Sequence, residues 1–472
     1  MAHKIGNCRD QISIRCLSEM IDAESPAKQI DRFVKESDTS YFAKSNPEAT
    51  GSPPYDPKDI LKLLIYGMDE GINSTRKLAR ACRKDVEVMW LLNELKPDST
   101  TIRNFRRENA ENITRFFNQH ARQLCEEGLI DGKITSIDGS KVRANNSKRN
   151  NFSIKKLNRH IEYIDKKLTQ YLSEVDKNDR IEELQERKDK YEGYKKQIES
   201  GEVTEVSTVD PDARLMRQGN GGADVSYNVQ VAVDSKHKLI AGVLVTNEPN
   251  DQGQLSKVAK SVKENLDLEK MTVPADKGYY DTKDFKECHD ANIETIVAKP
   301  DHKESQDGLY KKEDFHYDKE KDCYTCPAGK ILNFSTEDRH YRRYRNTKAC
   351  RKCEQKSLCT RNNRRDICRH EHIEHAERND RAFKENQDIY KLRQQLSEHP
   401  FGTMKRTMGI RQFQTRGLPN VKAEAALIFL CYNLKRLRTI NPNYWKTGQF
   451  LVILMFFQFF SQLFKKPSKT TA

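Results

Sequence analysis

Asp138 stands in SIDGSKVRA, Asp276 in PADKGYYD and Glu398 in YKLRQQLSEHPFG. Most acidic side chains are solvated surface groups, but these three have particular settings. Gly139 permits close backbone approach beside Asp138. Asp276 closes a strand-like piece and is followed by Lys277 and Gly278. Glu398 has Tyr390 and Arg393 before it and Lys405 after it. Carboxylates brought to one point are hard oxygen ligands for Mg2+ or Mn2+. Two such ions about 3.5–4 Å apart would activate a nucleophile and stabilise both in-line oxygens of a phosphodiester displacement. Asp281 and Asp210 are reserve carboxylates; Asp224 and Asp234 read as residues of turns or strand ends.

A second set of candidates is sulfur. Six of the twelve cysteines fall within 323–368. Cys323-x2-Cys326 and Cys350-x2-Cys353 are twenty-three residues apart, close to a four-cysteine zinc ribbon, with Cys359 and Cys368 as alternates. Thiolate zinc would staple a segment poor in apolar residues; reduced cysteines without metal are the plainer reading. The same segment is basic, with eleven Lys or Arg against two acids in 341–370. Residues 403–417 carry Lys405, Arg406, Arg411 and Arg416 with no acid. Lying beside the carboxylates in sequence, both runs suit a groove that tracks phosphates. Tyr341, Tyr344 and Phe413 are placed to stack on flipped or single-stranded bases.

Elements must position these groups. Asp56 and Pro57 form an N-cap and N1 pair for DILKLLIYGM. NSTRKLARACRKD, VEVMWLLNEL and PDSTTIRNFRREN follow as short helices with short joints, the grammar of a helix-turn-helix region. Arg103, Arg106 and Arg107 trail Ser99 and Thr100 at helical spacing, which suits phosphates or base edges. The strand KITSIDGSKVRA (133–144) comes next, with Lys141 and Arg143 joining the DNA-contact set. Residues 151–200 then step apolar positions by three and four, as a helical hairpin does. Strands resume at 226–234, 239–246, 271–276 and 294–300, with helices between. Helical pieces follow at 376–398 and 421–439. Pro400 disfavours helix at His399, so Glu398 is expected at a helix end or kink. Without the hairpin and the cysteine-rich segment, the order is three strands, helix, strand, helix, strand, helix. That is the order of an RNase H-like α/β fold.

Bulk properties agree with this. The 472 residues suffice for two to four domains, and a net charge of +14 favours a polyanionic partner. A charged fraction of 33% and a mean hydropathy of −0.89 suit much solvated surface. The opening MAHKIGNCRDQIS has no apolar signal core, and the cysteine spacing suits a reducing cytosol. The apolar run at 450–464 is fifteen residues long and holds Gln458 and Gln462, which reads as a docking helix or buried strand rather than a membrane span.

YDPKDILKLLIYG, STRKLARACRKDVEVMWL, PDSTTIRNFRREN, IDGSKVRANNS, DPDARLMRQ, YNVQVAVD, ADKGYYD, EHPFGTMK and RGLPNVKAEAALIFLCYNLKRL span most of 50–440. Through these stretches the chain resembles bacterial insertion-sequence DDE transposases with an InsH-like N-terminal domain. The resemblance implies a catalytic triad of Asp138, Asp276 and Glu398, with Asp138 bridging two Mg2+ (or Mn2+) ions. Tyr390, Arg393, Glu398 and Lys405 are similar to the family's Tyr-Arg-Glu-Lys signature, although four residues rather than three separate Arg393 from Glu398. Arg393 and Lys405 are expected to grip phosphates. It further implies strand hydrolysis at transposon ends, 3′-OH transfer into target DNA, and a homodimer in the synaptic complex. Expected domains are an N-terminal helical DNA-binding domain at 1–120 and an RNase H-like catalytic domain in three pieces, 121–150, 206–310 and 373–440. An inserted hairpin fills 151–205, a cysteine-rich basic insertion 311–372 and an apolar tail 441–472. The rivals are a nuclease of the same fold without strand transfer and an inactive transposase-derived DNA-binding protein.

Overall fold

A computed structural model describes residues 16–42, 53–172, 178–201, 203–219, 221–300 and 308–442. The apolar run at 450–464 lies outside them. The chain divides into two compact units. Met1–Gly132, Asp138–Asn250 and Gln395–Ala472 make the first; Lys133–Ile137 and Asp251–Gln394 make the second.

The first unit is organised by the helix Leu418–Ile440, which packs on the helices Pro57–Asp69 and Ala110–Glu126 and on the strand Ile240–Thr246. Pro57–Asp69 is buried continuously from Ile60 to Asp69, so it runs through the core rather than along the surface. It starts as its sequence dictates: Asp56 Oδ1 accepts the Lys58 N–H at 2.8 Å, and Pro57 fills the first turn. Two polar contacts fix the organising helix. Asn433 accepts the Ile240 N–H at 2.8 Å and donates to the Ile240 carbonyl at 3.0 Å. Asp69 is buried between Lys435 (3.2 Å) and Arg438 (2.8 Å), which supplies the counter-charge a buried carboxylate needs. At the helix start, Gly417 takes φ +81°, where a side chain would be strained. Its N–H donates to Asp210 (3.1 Å), and the Leu418 N–H to Asp212 (2.7 Å).

The strands Arg214–Arg217, Ala223–Asp234 and Ile240–Thr246 of this unit form an antiparallel sheet. The helices Ile154–Tyr171 and Asn178–Glu199 pack on each other; the second has no buried residue. Glu398 lies inside the helix Gln387–Gly402, which continues through Pro400 and widens into a π-helical turn over Thr403–Thr407. The helix therefore does not end before Pro400. Proline removes one N–H and crowds the carbonyl four residues back. Burial of Leu396, Ser397, Pro400 and Phe401 holds the segment helical, and the wider turn follows directly.

In the second unit, the start of the strand Thr135–Arg143 lies parallel to Met271–Ala275, which lies parallel to Ile293–Val297. The connecting helices Leu255–Asn265, Thr282–Asp290 and Ile373–Glu385 cover these strands. Asn379 accepts the Val297 N–H at 3.0 Å and donates to its carbonyl at 2.9 Å, closing the open edge there. The cysteine-rich segment also has strands. His316–Asp318, Cys323–Thr325, Ile331–Asp338, Tyr341–Arg345 and Asp366–His370 form an antiparallel sheet of five in sequence order. No strands were expected in this stretch, because short strands crowded with Arg and Lys show little alternation.

Candidate active site and nucleic-acid interface

The second unit sets the first geometric constraint. Ile137 and Ala275 are register partners in parallel strands. The next residue in one strand is Asp138, and the next after the other is Asp276. Asp276 Oδ1 lies 3.6 Å from Arg393 Nη2. The Arg393 guanidinium in turn stands over the Tyr390 ring, 5.4 Å from its centroid, and Phe383 meets the same ring edge-on at 4.8 Å. Arg393 is largely covered, with Nε buried and unpartnered. Despite the extra residue before Glu398, Tyr390 and Arg393 thus cluster beside Asp276.

The first unit holds Asp138, Glu398 and Lys405. Asp138 is half-buried, and its Oδ1 accepts the Gly139 N–H at 2.9 Å. Lys405 donates to the Ser140 hydroxyl at 2.9 Å and faces the Phe401 ring at 5.8 Å. Burial pulls the Lys405 ammonium down from its usual pKa, and Asp138 partly restores it. Glu398 is exposed. The donor types suit a hard divalent ion. Among the described residues, no three or more His, Cys, Asp or Glu side chains form a group that could hold a metal ion as they stand.

A basic groove of about 730 Å3 lies wholly within the first unit. Arg103, Arg106 and Arg107 line it from the helix Ser99–Glu108, and Arg416 and Asn145 line it from two loops. Arg76, at the start of the helix Thr75–Ala81, lines it too and was not singled out from sequence. Its only signal was a position beside Ser74 and Thr75. Asp98 caps the arginine-bearing helix by accepting the Thr101 N–H at 2.7 Å. Arg106 is only 6% exposed. Burial lowers its pKa and the Glu424 carboxylate offsets this. Glu424, also buried, accepts the N–H groups of Gln414 (2.8 Å) and Thr415 (2.8 Å), so one carboxylate shapes the groove wall and partly offsets the burial of Arg106. Arg416 Nε donates to the Asn145 carbonyl at 3.1 Å.

The other candidates are placed as follows. Arg406 and Arg411 are exposed but do not line this groove. Lys141 is half-buried, and Arg143 faces Asp224 at 3.7 Å. Tyr344 and Phe413 are buried, at 0% and 1% exposure, and so are unavailable for base stacking. Both faces of these rings are taken by core packing; Tyr341 alone of the three is exposed. Asp281 caps the helix Thr282–Asp290 by accepting the N–H groups of Lys283 and Asp284. Asp210 accepts the Tyr227 hydroxyl at 2.8 Å, and Asp234 accepts the N–H groups of Gly132 and Lys236. These three aspartates have structural partners.

The sulfur set differs from its sequence reading. Cys326, Cys350, Cys353 and Cys359 line one cavity. Cys323 does not; it is buried in its strand, next to Tyr324 of the lobe's core. Burial raises the Cys359 thiol, Arg365 draws it back, and Cys350, Cys326 and Cys353 push it up further.

Two family models match the chain: a transposase DDE domain over residues 325–438 and a transposase domain (DUF772) over residues 15–108. Tyr390, Arg393, Glu398 and Lys405 fall inside the first match; Asp138 and Asp276 fall outside both. No curated protein matches. A solved piggyBac transposase synaptic complex with hairpin DNA is similar at 8% identity, covering 94% of this chain and 79% of that one, with a TM-score of 0.32. A likeness of that degree carries no inference. The two family matches, in their chain order, define a transposase, an enzyme that acts on DNA. More particularly, residues 325–438 resemble the DDE domain of transposases. No helix among the described residues is long and apolar enough to cross a membrane.

Proposed function

We propose that this transposase cuts DNA at the ends of its element and joins the freed 3′-OH to target DNA, using Asp138, Asp276 and Glu398 as its catalytic carboxylates. The register of Ile137 with Ala275 carries this reading, because each strand delivers an aspartate at its next position. Parallel strands flanked by crossover helices support an RNase H-like catalytic fold, interrupted by the helical pair and the cysteine-rich lobe. The three carboxylates would hold two divalent ions, Mg2+ or Mn2+, which supply an activated nucleophile and charge stabilisation at the phosphorus.

The chain's own residues do the rest. Arg393, stacked on Tyr390, fixes the Asp276 carboxylate and adds positive charge beside it. Lys405, half-buried near Asp138, offers a cation to a scissile phosphate. The arginine groove holds the backbone of duplex DNA, in line with the terminal-repeat recognition expected of the N-terminal helices. Two such ends brought together call for a homodimer. The deciding experiment supplies pre-cut ends and target DNA to the full chain with Mg2+. Joined products support the reading; cleavage without joining assigns a nuclease instead.

A further inference from the structure

The cysteine-rich lobe of the second unit is built on little apolar surface. Phe315, Tyr324, Leu332, Tyr344 and Ile367 make its core. The two short helices Thr347–Arg351 and Lys356–Cys359 bury no residue at all. A lobe this small, with so few buried side chains, needs a staple to hold its outer segments.

The thiols supply one. Cys350, Cys353 and Cys359 are carried on or between those two helices, and with Cys326 they line a cavity of about 30 Å3. None is in a disulfide. Cys326 sits in a tight turn closed by its N–H to the Lys330 carbonyl (2.9 Å) and by the Gly329 N–H to its own carbonyl (2.8 Å). Gly329 takes φ +71° to make that turn. The turn aims the Lys330 N–H at Cys326 Sγ, 3.3 Å away. A backbone N–H aimed at the sulfur is the kind of outer-shell partner that orients a metal ligand. Cys323 and Cys368 stand on strands and do not line the cavity.

We propose that Cys326, Cys350, Cys353 and Cys359 bind one structural Zn2+ as a four-thiolate site, with Cys323 and Cys368 outside it. The thiols do not form a ready coordination shell as they stand. Zinc draws them inward, which costs little because the helices that carry Cys350 and Cys359 and flank Cys353 bury nothing. Binding deprotonates the thiols and folds the outer part of the lobe at the same time. This site is independent of the carboxylate chemistry.

The test is metal content and cobalt substitution on the full-length chain, purified reduced and without chelator. One zinc per chain is expected. Replacing it with Co2+ should give the sulfur-to-cobalt charge-transfer band and intense visible bands of a tetrahedral thiolate site. Cys359→Ser and Cys326→Ser should each alter or abolish that spectrum, whereas Cys323→Ala and Cys368→Ser should preserve it. An unaltered chain that takes up neither metal overturns the proposal, as does a cobalt spectrum unchanged by Cys359→Ser. Loss of the spectrum in Cys323→Ala would overturn the exclusion of Cys323.

Discussion

Ile137 and Ala275 are paired across two parallel strands, and each is followed at once by an aspartate. A one-residue slip in either strand would turn its carboxylate to the other face of the sheet. The register is held locally: the Thr272 N–H donates to the Lys133 carbonyl at 2.8 Å, and the Ser136 hydroxyl to the Pro274 carbonyl at 3.4 Å. On the proposed function, backbone pairing matters as much as the acids themselves.

Arg393 is expected to matter through its shape as well as its charge. Its guanidinium lies over Tyr390 while reaching Asp276. Lysine cannot do both, since it lacks a planar face. Arg393→Lys should lower single-turnover cleavage by on the order of 10²-fold while leaving DNA affinity near that of the unaltered chain. Full activity in Arg393→Lys would show that a point charge suffices.

The groove arginines should act on affinity and salt dependence together. Arg76→Gln, Arg103→Gln and Arg416→Gln should each weaken duplex binding to a similar degree on different sequences. Each should reduce the slope of log K against log salt by about 0.9 for every phosphate it no longer neutralises. A slope unchanged in all three would place the duplex elsewhere.

Glu424 faces a different demand. It shapes the 414–415 backbone and balances buried Arg106. Glu424→Gln weakens its hold on the 414–415 backbone and removes the charge that offsets the burial of Arg106, and should destabilise the first unit by on the order of 1–3 kcal/mol in denaturant unfolding. The double change Arg106→Met with Glu424→Met should recover part of the loss, because it removes both buried charges.

His120 makes stability depend on acid. It is fully buried against Phe33, its ring nitrogens have no partner, and burial pushes its pKa down to about 3. The unfolded chain takes up a proton on this ring near pH 6.5 and the folded chain does not. Folding is therefore unpenalised above pH 6.5 and loses stability as pH falls from there towards 3, on the order of 5 kcal/mol in all. His120→Phe should flatten the melting temperature over that range. An identical acid dependence in the variant would show that His120 does not contribute.

Much of this was legible in the sequence. The Asp56-Pro57 cap, the strand that carries Asp138 and the strand that leads into Asp276 depend on local patterns that the structure keeps. Other features depend on contacts far apart in the chain. Arg76 looked like any exposed arginine until the fold set it beside Arg416, 340 positions away. Tyr344 and Phe413 looked available because a basic stretch hides which of its aromatics turn inward. Pro400 disfavours helix at His399 by local sterics, while burial of Leu396, Ser397 and Phe401 carries the helix on to Gly402. Spacing paired Cys323 with Cys326, but alternation along a strand and its next turn separates them.

The central claim is that Asp138, Asp276 and Glu398 act together as the catalytic carboxylates. Its most direct measurement is Mg2+-dependent, single-turnover cleavage of duplexes selected for binding by the unaltered chain. Asp138→Asn, Asp276→Asn and Glu398→Gln should each bind those duplexes with unchanged affinity and cleave them at least about 10³-fold more slowly. Asp281→Asn should cleave normally once folded. Cleavage at the unaltered rate by any one of the three would contradict the account.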